Sequence, residues 1–148
     1  MQYTLAVAKK QGDKEFVKEW KELPEQIKAS FIEKFWLEEE GYVADYVNYD
    51  EVNKFIRCNM PVACGLDYRI LNDEQLVTTL QTIHQHLLTP RGLRTLSPRS
   101  YGYRPFYLGS PEDRELALHQ GPARPWLIGF NADAYLRVFD LSGVSYID

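Results

Sequence analysis

The sequence is poor in the features that assign a function quickly. It holds only two cysteines, Cys58 and Cys64, too few for a disulfide scaffold or a cysteine-built zinc site. Of its three histidines, His84 and His86 stand two apart on a helix-forming stretch, and residues two apart on a helix diverge by about 200°, so they do not chelate one ion. We expect no metal and no cofactor. Positive charge is not in excess: 17 basic residues face 21 acidic ones, a net charge of −4. That balance gives no electrostatic reason to expect nucleic acid or an anionic membrane as partner. No apolar run approaches the roughly 20 residues of a bilayer span. Ser97 and His119 lack the Gly-x-Ser-x-Gly elbow of a hydrolase nucleophile, and Cys64, among Val62, Ala63 and Leu66, reads as a small buried hydrophobe. Met1 to Lys10 shows no apolar stretch after a basic start, so no secretory signal is expected, and with so few cysteines a cytoplasmic setting follows.

What is present is globular. Hydrophobic residues make up 45% and aromatics 14% of 148 residues, enough for one core, and we expect a single domain over 1–148. Phe16, Trp20, Leu23, Ile27, Phe31 and Phe35 recur every three or four positions, predicting a helix from an Asp13 N-cap, kinked or restarted at Pro24. The lysines and glutamates between them form a solvated face. Beyond Trp36 the run to Asn48 reads as a loop with short extended pieces. Pro61 opens a helix predicted to reach about Leu71. Asn72 and Gln75 have the spacing of a capping box, and Leu76, Leu80, Ile83 and Leu87 continue as a helix stopped by Thr89-Pro90.

From Arg91 to Pro122 the chain is rich in Gly, Pro, Ser, Tyr and Arg. A loop of about thirty residues in a small domain points to a functional role. Trp126 to Phe139 is apolar on almost every side, which predicts a helix covered all round. Helices joined by long loops make the expected fold class all-α. Planar aromatics stack on sugar rings, and Arg, Asn, Gln and His supply the bidentate bonds that vicinal hydroxyls need. Every basic residue after Lys54 is an Arg, which suits fixed polar contacts, with a structural network of Arg to loop carbonyls as the equal alternative.

Four segments carry a resemblance: Phe31 to Tyr42, Arg57-Cys-Asn59, Leu87-Leu-Thr-Pro-Arg-Gly-Leu-Arg-Thr-Leu-Ser-Pro98, and His119-Gln-Gly121 through Pro125-Trp126-Leu-Ile-Gly129. Their order and spacing resemble the C-terminal amylo-α-1,6-glucosidase region of glycogen debranching enzymes. The resemblance implies part of an (α/α)6 toroid, helical hairpins with long loops that hold sugar at one end. It implies Arg57, Asn59, Arg94, His119, Gln120 and Trp126 as substrate-binding residues for an α-1,6-linked glucan or oligosaccharide. The family's Arg-Pro-Asn-Gln is here Arg57-Cys58-Asn59-Met60, so an amide near the sugar is missing. Arg124 stands where bacterial relatives have Trp, and Ala123 where the eukaryotic motif has Glu.

An inverting glycosidase needs two carboxyl groups about 6.5 to 9.5 Å apart. By the resemblance both belong to segments outside 1–148, so no catalytic residue is assigned and the chain is expected to be inactive alone, a fragment or short relative of the family. The alternative is a non-catalytic helical module for self-assembly or partner binding. A third reading is a small complete enzyme using Asp45 or Glu112 as acids. As a toroid piece it would expose apolar flanks, so a homo-oligomer, or pairing with the missing part of the toroid, is expected.

Overall fold

The computed structural model describes residues 1–139. They pack as two compact units, 1–34 and 35 onward.

In the first unit α1 (Gln2–Gln11) ends where Gly12 takes the left-handed conformation, φ 77°. Asp13 then caps α2 (Lys14–Trp20), its carboxylate accepting from the Phe16 amide at 3.0 Å. Pro24 does not kink a long helix. It lies in the first turn of α3 (Leu23–Phe35), where its missing amide has no intrahelical partner to lose. Leu5 and Ala8 are buried, but no residue of α2 or α3 is fully buried and Ile27 is exposed, so the aromatic stripe read along them is only partly covered.

The second unit opens with two antiparallel hairpins, β1 (Trp36–Leu37) with β2 (Tyr42–Val43), and β3 (Tyr46–Asn48) with β4 (Glu51–Asn53). Next comes α4 (Met60–Gly65), with Pro61 in its first turn; it stops at Gly65 because Leu66 is extended, six residues short of the expected end. α5 (Asp73–His86) forms as read, both bonds of the Asn72–Gln75 capping box being made. The expected thirty-residue loop is structured. β5 (Leu88–Thr89), β6 (Gly92–Arg94) and β7 (Ala123–Arg124) make one antiparallel sheet in that order. Within the excursion Ser110 caps α6 (Pro111–Ala117) with its own capping box. Finally α7 (Ile128–Phe139) packs on α4 and α5. It is one-sided: Asn131, Ala134 and Tyr135 are buried while Ile128 and Leu136 are exposed, as a 3.6-residue period dictates.

The fold class therefore corrects the all-α expectation. Half of the described residues are helical, and seven short strands form three antiparallel sheets, so the chain is mixed α/β and not an all-α piece of an (α/α)6 toroid. The physical reason is visible at β6. Gly92 sits at φ 134°, and a Cβ there would lie 2.8 Å from the Pro125 nitrogen and closer still to the Arg124 carbonyl. Only glycine lets the backbone turn and approach β7 this closely. Around this sheet lies the core: Leu80, Ile83, Leu87, Leu93, Leu96 and Leu127 are fully buried. Among the described residues no helix is long and apolar enough to cross a membrane.

Candidate functional site

Backbone pairing brings three distant segments to one place. The β3–β4 hairpin returns the chain so that the Asp45 amide donates to the Asn53 carbonyl at 3.0 Å. The strand-like stretch that follows is held by an antiparallel bridge between Arg57 and Leu96 and by the Ser97 amide on the Ile56 carbonyl, 3.0 Å. The His119-Gln-Gly turn is fixed from both sides. Gly121 N donates to the Thr95 hydroxyl oxygen at 2.8 Å, and Gln120 O accepts from Arg104 N at 2.7 Å. A Cβ at Gly121 would collide with the Arg104 carbonyl and the Tyr103 ring, so this turn tolerates no side chain.

These segments enclose a cleft of about 250 Å³ lined by Asp45, Tyr46, Arg57, Cys58, Asn59, Thr95 and His119. Asp45 is its hub. One carboxylate oxygen pairs with Arg57 Nε at 3.3 Å, the other accepts from Asn59 Nδ2 at 2.8 Å, and the two charged side chains are only 7% and 17% exposed. Arg57 continues outward, Nη1 donating to the His119 carbonyl at 2.6 Å and Nη2 to Gln120 Oε1 at 3.1 Å. Its guanidinium lies 5.7 Å from the Phe55 ring centre, within cation–π range. Burial pushes the Cys58 thiol up; Asp45 adds to that, while Arg57 and Arg124 oppose it. Such a thiol stays protonated and is a poor nucleophile. Cys64 is buried in apolar surroundings and pushed up to about 12, in keeping with its reading as a core hydrophobe.

Of the six residues expected to bind sugar, Arg57, Asn59 and His119 line the cleft and Gln120 is bonded to Arg57 behind it. Arg94, half-buried on β6, and Trp126, exposed in the turn before α7, are not among the lining residues. Asp45, Tyr46, Cys58 and Thr95 are the additions. Thr95 stands beside Arg94 in the second loop motif, and its hydroxyl role needs the Gly121 amide 26 residues away. The sequence alone offers Asp45 only as an acid. At the departures, Met60 is buried in α4, Ala123 is on β7, and Arg124 lies 6.0 Å over the Tyr107 ring.

The two carboxylates of the small-enzyme reading are not placed as general acids would be. Both Asp45 oxygens are already engaged. Glu112 is exposed in the first turn of α6, where backbone amides first and the Ser110 hydroxyl second pull its carboxyl below the ordinary value, opposite to what a proton donor needs. Ser97 is buried and meets His86, 3.5 Å between Oγ and Nδ1, while His84 stacks on Tyr135 with ring centres 4.3 Å apart. Among the described residues no group of three or more His, Cys, Asp or Glu stands close enough to hold a metal ion.

The motif residues that meet at this cleft agree with the sequence comparison, in which residues 2–146 match amylo-alpha-1,6-glucosidase. The chain belongs to the amylo-alpha-1,6-glucosidase family. The glycogen debranching enzyme of Saccharomyces cerevisiae is similar to it, 30% identical over 90 residues, a match that covers 57% of this chain and 6% of the yeast protein. The chain thus corresponds to a small part of that relative. In this member of the family, the Arg-x-Asn and His-Gln-Gly segments face each other across one cleft, joined by Arg57.

Proposed function

We propose that this domain binds α-1,6-linked glucose of a branched glucan in the Asp45–Arg57–His119 cleft and does not hydrolyse it on its own. Family membership supports the substrate class. The observation that carries the reading is the convergence of Arg57, Asn59, His119 and Gln120, from segments 62 residues apart, around one open polar cleft. Asn59, Thr95 and His119 offer acceptors and donors at short range, the mixture that sugar hydroxyls require. Arg94 and Trp126, which do not line the cleft, are proposed as contacts for a longer oligosaccharide. Trp126, 66% exposed, supplies a flat face for stacking.

Hydrolysis by inversion requires an acid and a base, and among the described residues the cleft is lined by one carboxylate, Asp45, with both oxygens engaged. The isolated chain is expected to release no glucose from a branched limit dextrin while binding isomaltose at millimolar concentration by calorimetry. Release of glucose abolished by Asp45→Asn or Glu112→Gln overturns the inactive reading. Absence of binding to isomaltose, maltooligosaccharides and limit dextrin overturns the glucan reading.

A further inference from the structure

Asn59 occupies the N-cap position of α4, yet its side chain makes no capping bond. Asp13, Asn72 and Ser110, at the same position of α2, α5 and α6, all cap. Asn is among the best capping residues, so the bond it forgoes is a favourable one. Its amide is turned to Asp45 instead, Nδ2 to Oδ1 at 2.8 Å. The orientation is chemically unambiguous, because a carboxylate that accepts can meet only the nitrogen end of an amide. The Asn59 carbonyl oxygen is then the end that has no donor among the described residues, on an exposed residue lining the cleft.

Thr95 shows the complementary polarity. The residue is 4% exposed, it lines the cleft, and its hydroxyl oxygen accepts from the Gly121 amide at 2.8 Å. A hydroxyl that accepts still carries one proton to donate, and no acceptor for that proton is found among the described residues. The lining residues therefore carry one acceptor, the Asn59 carbonyl, and one donor, the Thr95 hydroxyl, that no described residue uses.

We propose that Asp45 is the positioning residue of the cleft: it sets Asn59 to present its carbonyl, which with the Thr95 hydroxyl reads two hydroxyl groups of one sugar. The inference rests on the glucan reading above and adds the polarity of recognition to it. Asp45 does not touch the sugar. The ion pair with Arg57 Nε engages its second oxygen, which favours the orientation that leaves the first oxygen on Asn59.

The test exchanges the polarity of the pair. In Asp45→Asn the new amide must keep its oxygen on Arg57, which can only donate. Its nitrogen then faces Asn59 and forces Asn59 to turn its own nitrogen into the cleft. In the double variant Asp45→Asn/Asn59→Asp, the Asn nitrogen donates to one carboxylate oxygen of the new Asp and the other oxygen restores an acceptor. Isomaltose affinity is expected to fall about tenfold or more in Asp45→Asn, as for a buried polar group left unpaired, and to return to within about threefold of wild type in the double variant. Equal affinity in Asp45→Asn and wild type, or a double variant no better than the single one while both give the wild-type circular dichroism spectrum, overturns the proposal and leaves the glucan reading standing. If wild type binds neither isomaltose nor maltooligosaccharides nor limit dextrin, the glucan reading fails and the proposal falls with it; if it binds one of the others but not isomaltose, the same affinities are compared on that glucan. Should Asp45→Asn not fold, the side-chain amide of Asn59 in the wild type decides by NMR. The proton donated to Asp45 should stay protected and the other should stay in fast exchange when isomaltose is added, whereas protection gained by the second proton shows that the sugar takes the nitrogen end and overturns the proposal.

Discussion

Arg57 reaches three different partners through three different nitrogens, Asp45, the His119 carbonyl and Gln120. Arg57→Ala leaves the nearly buried Asp45 carboxylate without its counter-charge, and breaking a buried pair from one side costs several kcal/mol. We expect the unfolding free energy from urea titration to fall by about 3 kcal/mol. Arg57→Lys should recover only part of that, since one ammonium cannot span three acceptors set in a fork. Trp126 stands at the other extreme. With most of its surface already in water, Trp126→Ala should change stability by less than about 0.5 kcal/mol while weakening maltooligosaccharide binding, measured by calorimetry. Much of the cleft could be read from residue types in fixed short motifs: Arg57, Asn59, His119 and Gln120 do converge. Asp45 and Thr95 could not be, because their roles depend on partners 14 and 26 residues away that no local spacing specifies.

At the scale of elements, local chemistry was the legible part. The Asp13 cap, the Pro24 restart and the Asn72 capping box are each decided within four residues, and all three formed. The strands were legible only as short extended pieces between Trp36 and Asn48, because runs of two or three residues are too short to show a period of two and gain their stability from partners across the sheet. Gly92 is where that sheet is most sensitive. Gly92→Ala combines a backbone angle that L-residues avoid with a Cβ driven into the Arg124–Pro125 backbone, and should cost about 3 kcal/mol in thermal or urea unfolding. α5 carries a pH response. Burial lowers the pKa of His84, and burial together with Arg99 lowers that of His86. The unfolded chain therefore binds these protons more readily than the folded one. Their neutral forms favour the fold fully above the unfolded value of about 6.5, and that advantage is lost as pH falls through the folded values. Thermal stability should decline between about pH 7 and pH 5, a decline that His84→Gln/His86→Gln flattens. The lowered carboxyls of Glu40 and Asp113 act only below this window, starting near pH 4.5.

At the scale of the whole molecule, the charge is mild and the apolar surface is not. Phe106, Tyr107 and Leu108 are three consecutive large side chains, and all are exposed, Phe106 and Leu108 at 70% each, with Tyr101 more exposed still on the same excursion. Single exposed hydrophobes are ordinary, but an unbroken run of them is what association surfaces display. This excursion is anchored rather than loose: Arg104 N bonds Gln120 O, Arg124 lies over Tyr107, and Ser110 begins α6 with a full capping box. An ordered apolar ridge costs little conformational entropy when covered, which favours its use as a contact. Near the isoelectric point of about 5.4 net repulsion no longer opposes contact between copies. We therefore expect light scattering to give a mass above 17.3 kDa that rises with concentration and as pH approaches 5.4. The variant Phe106→Ser/Leu108→Ser should bring it back to a single chain without altering isomaltose binding, because neither residue lines the cleft. A wild-type mass fixed at 17.3 kDa up to millimolar concentration would mean that the ridge does not pair copies of this chain.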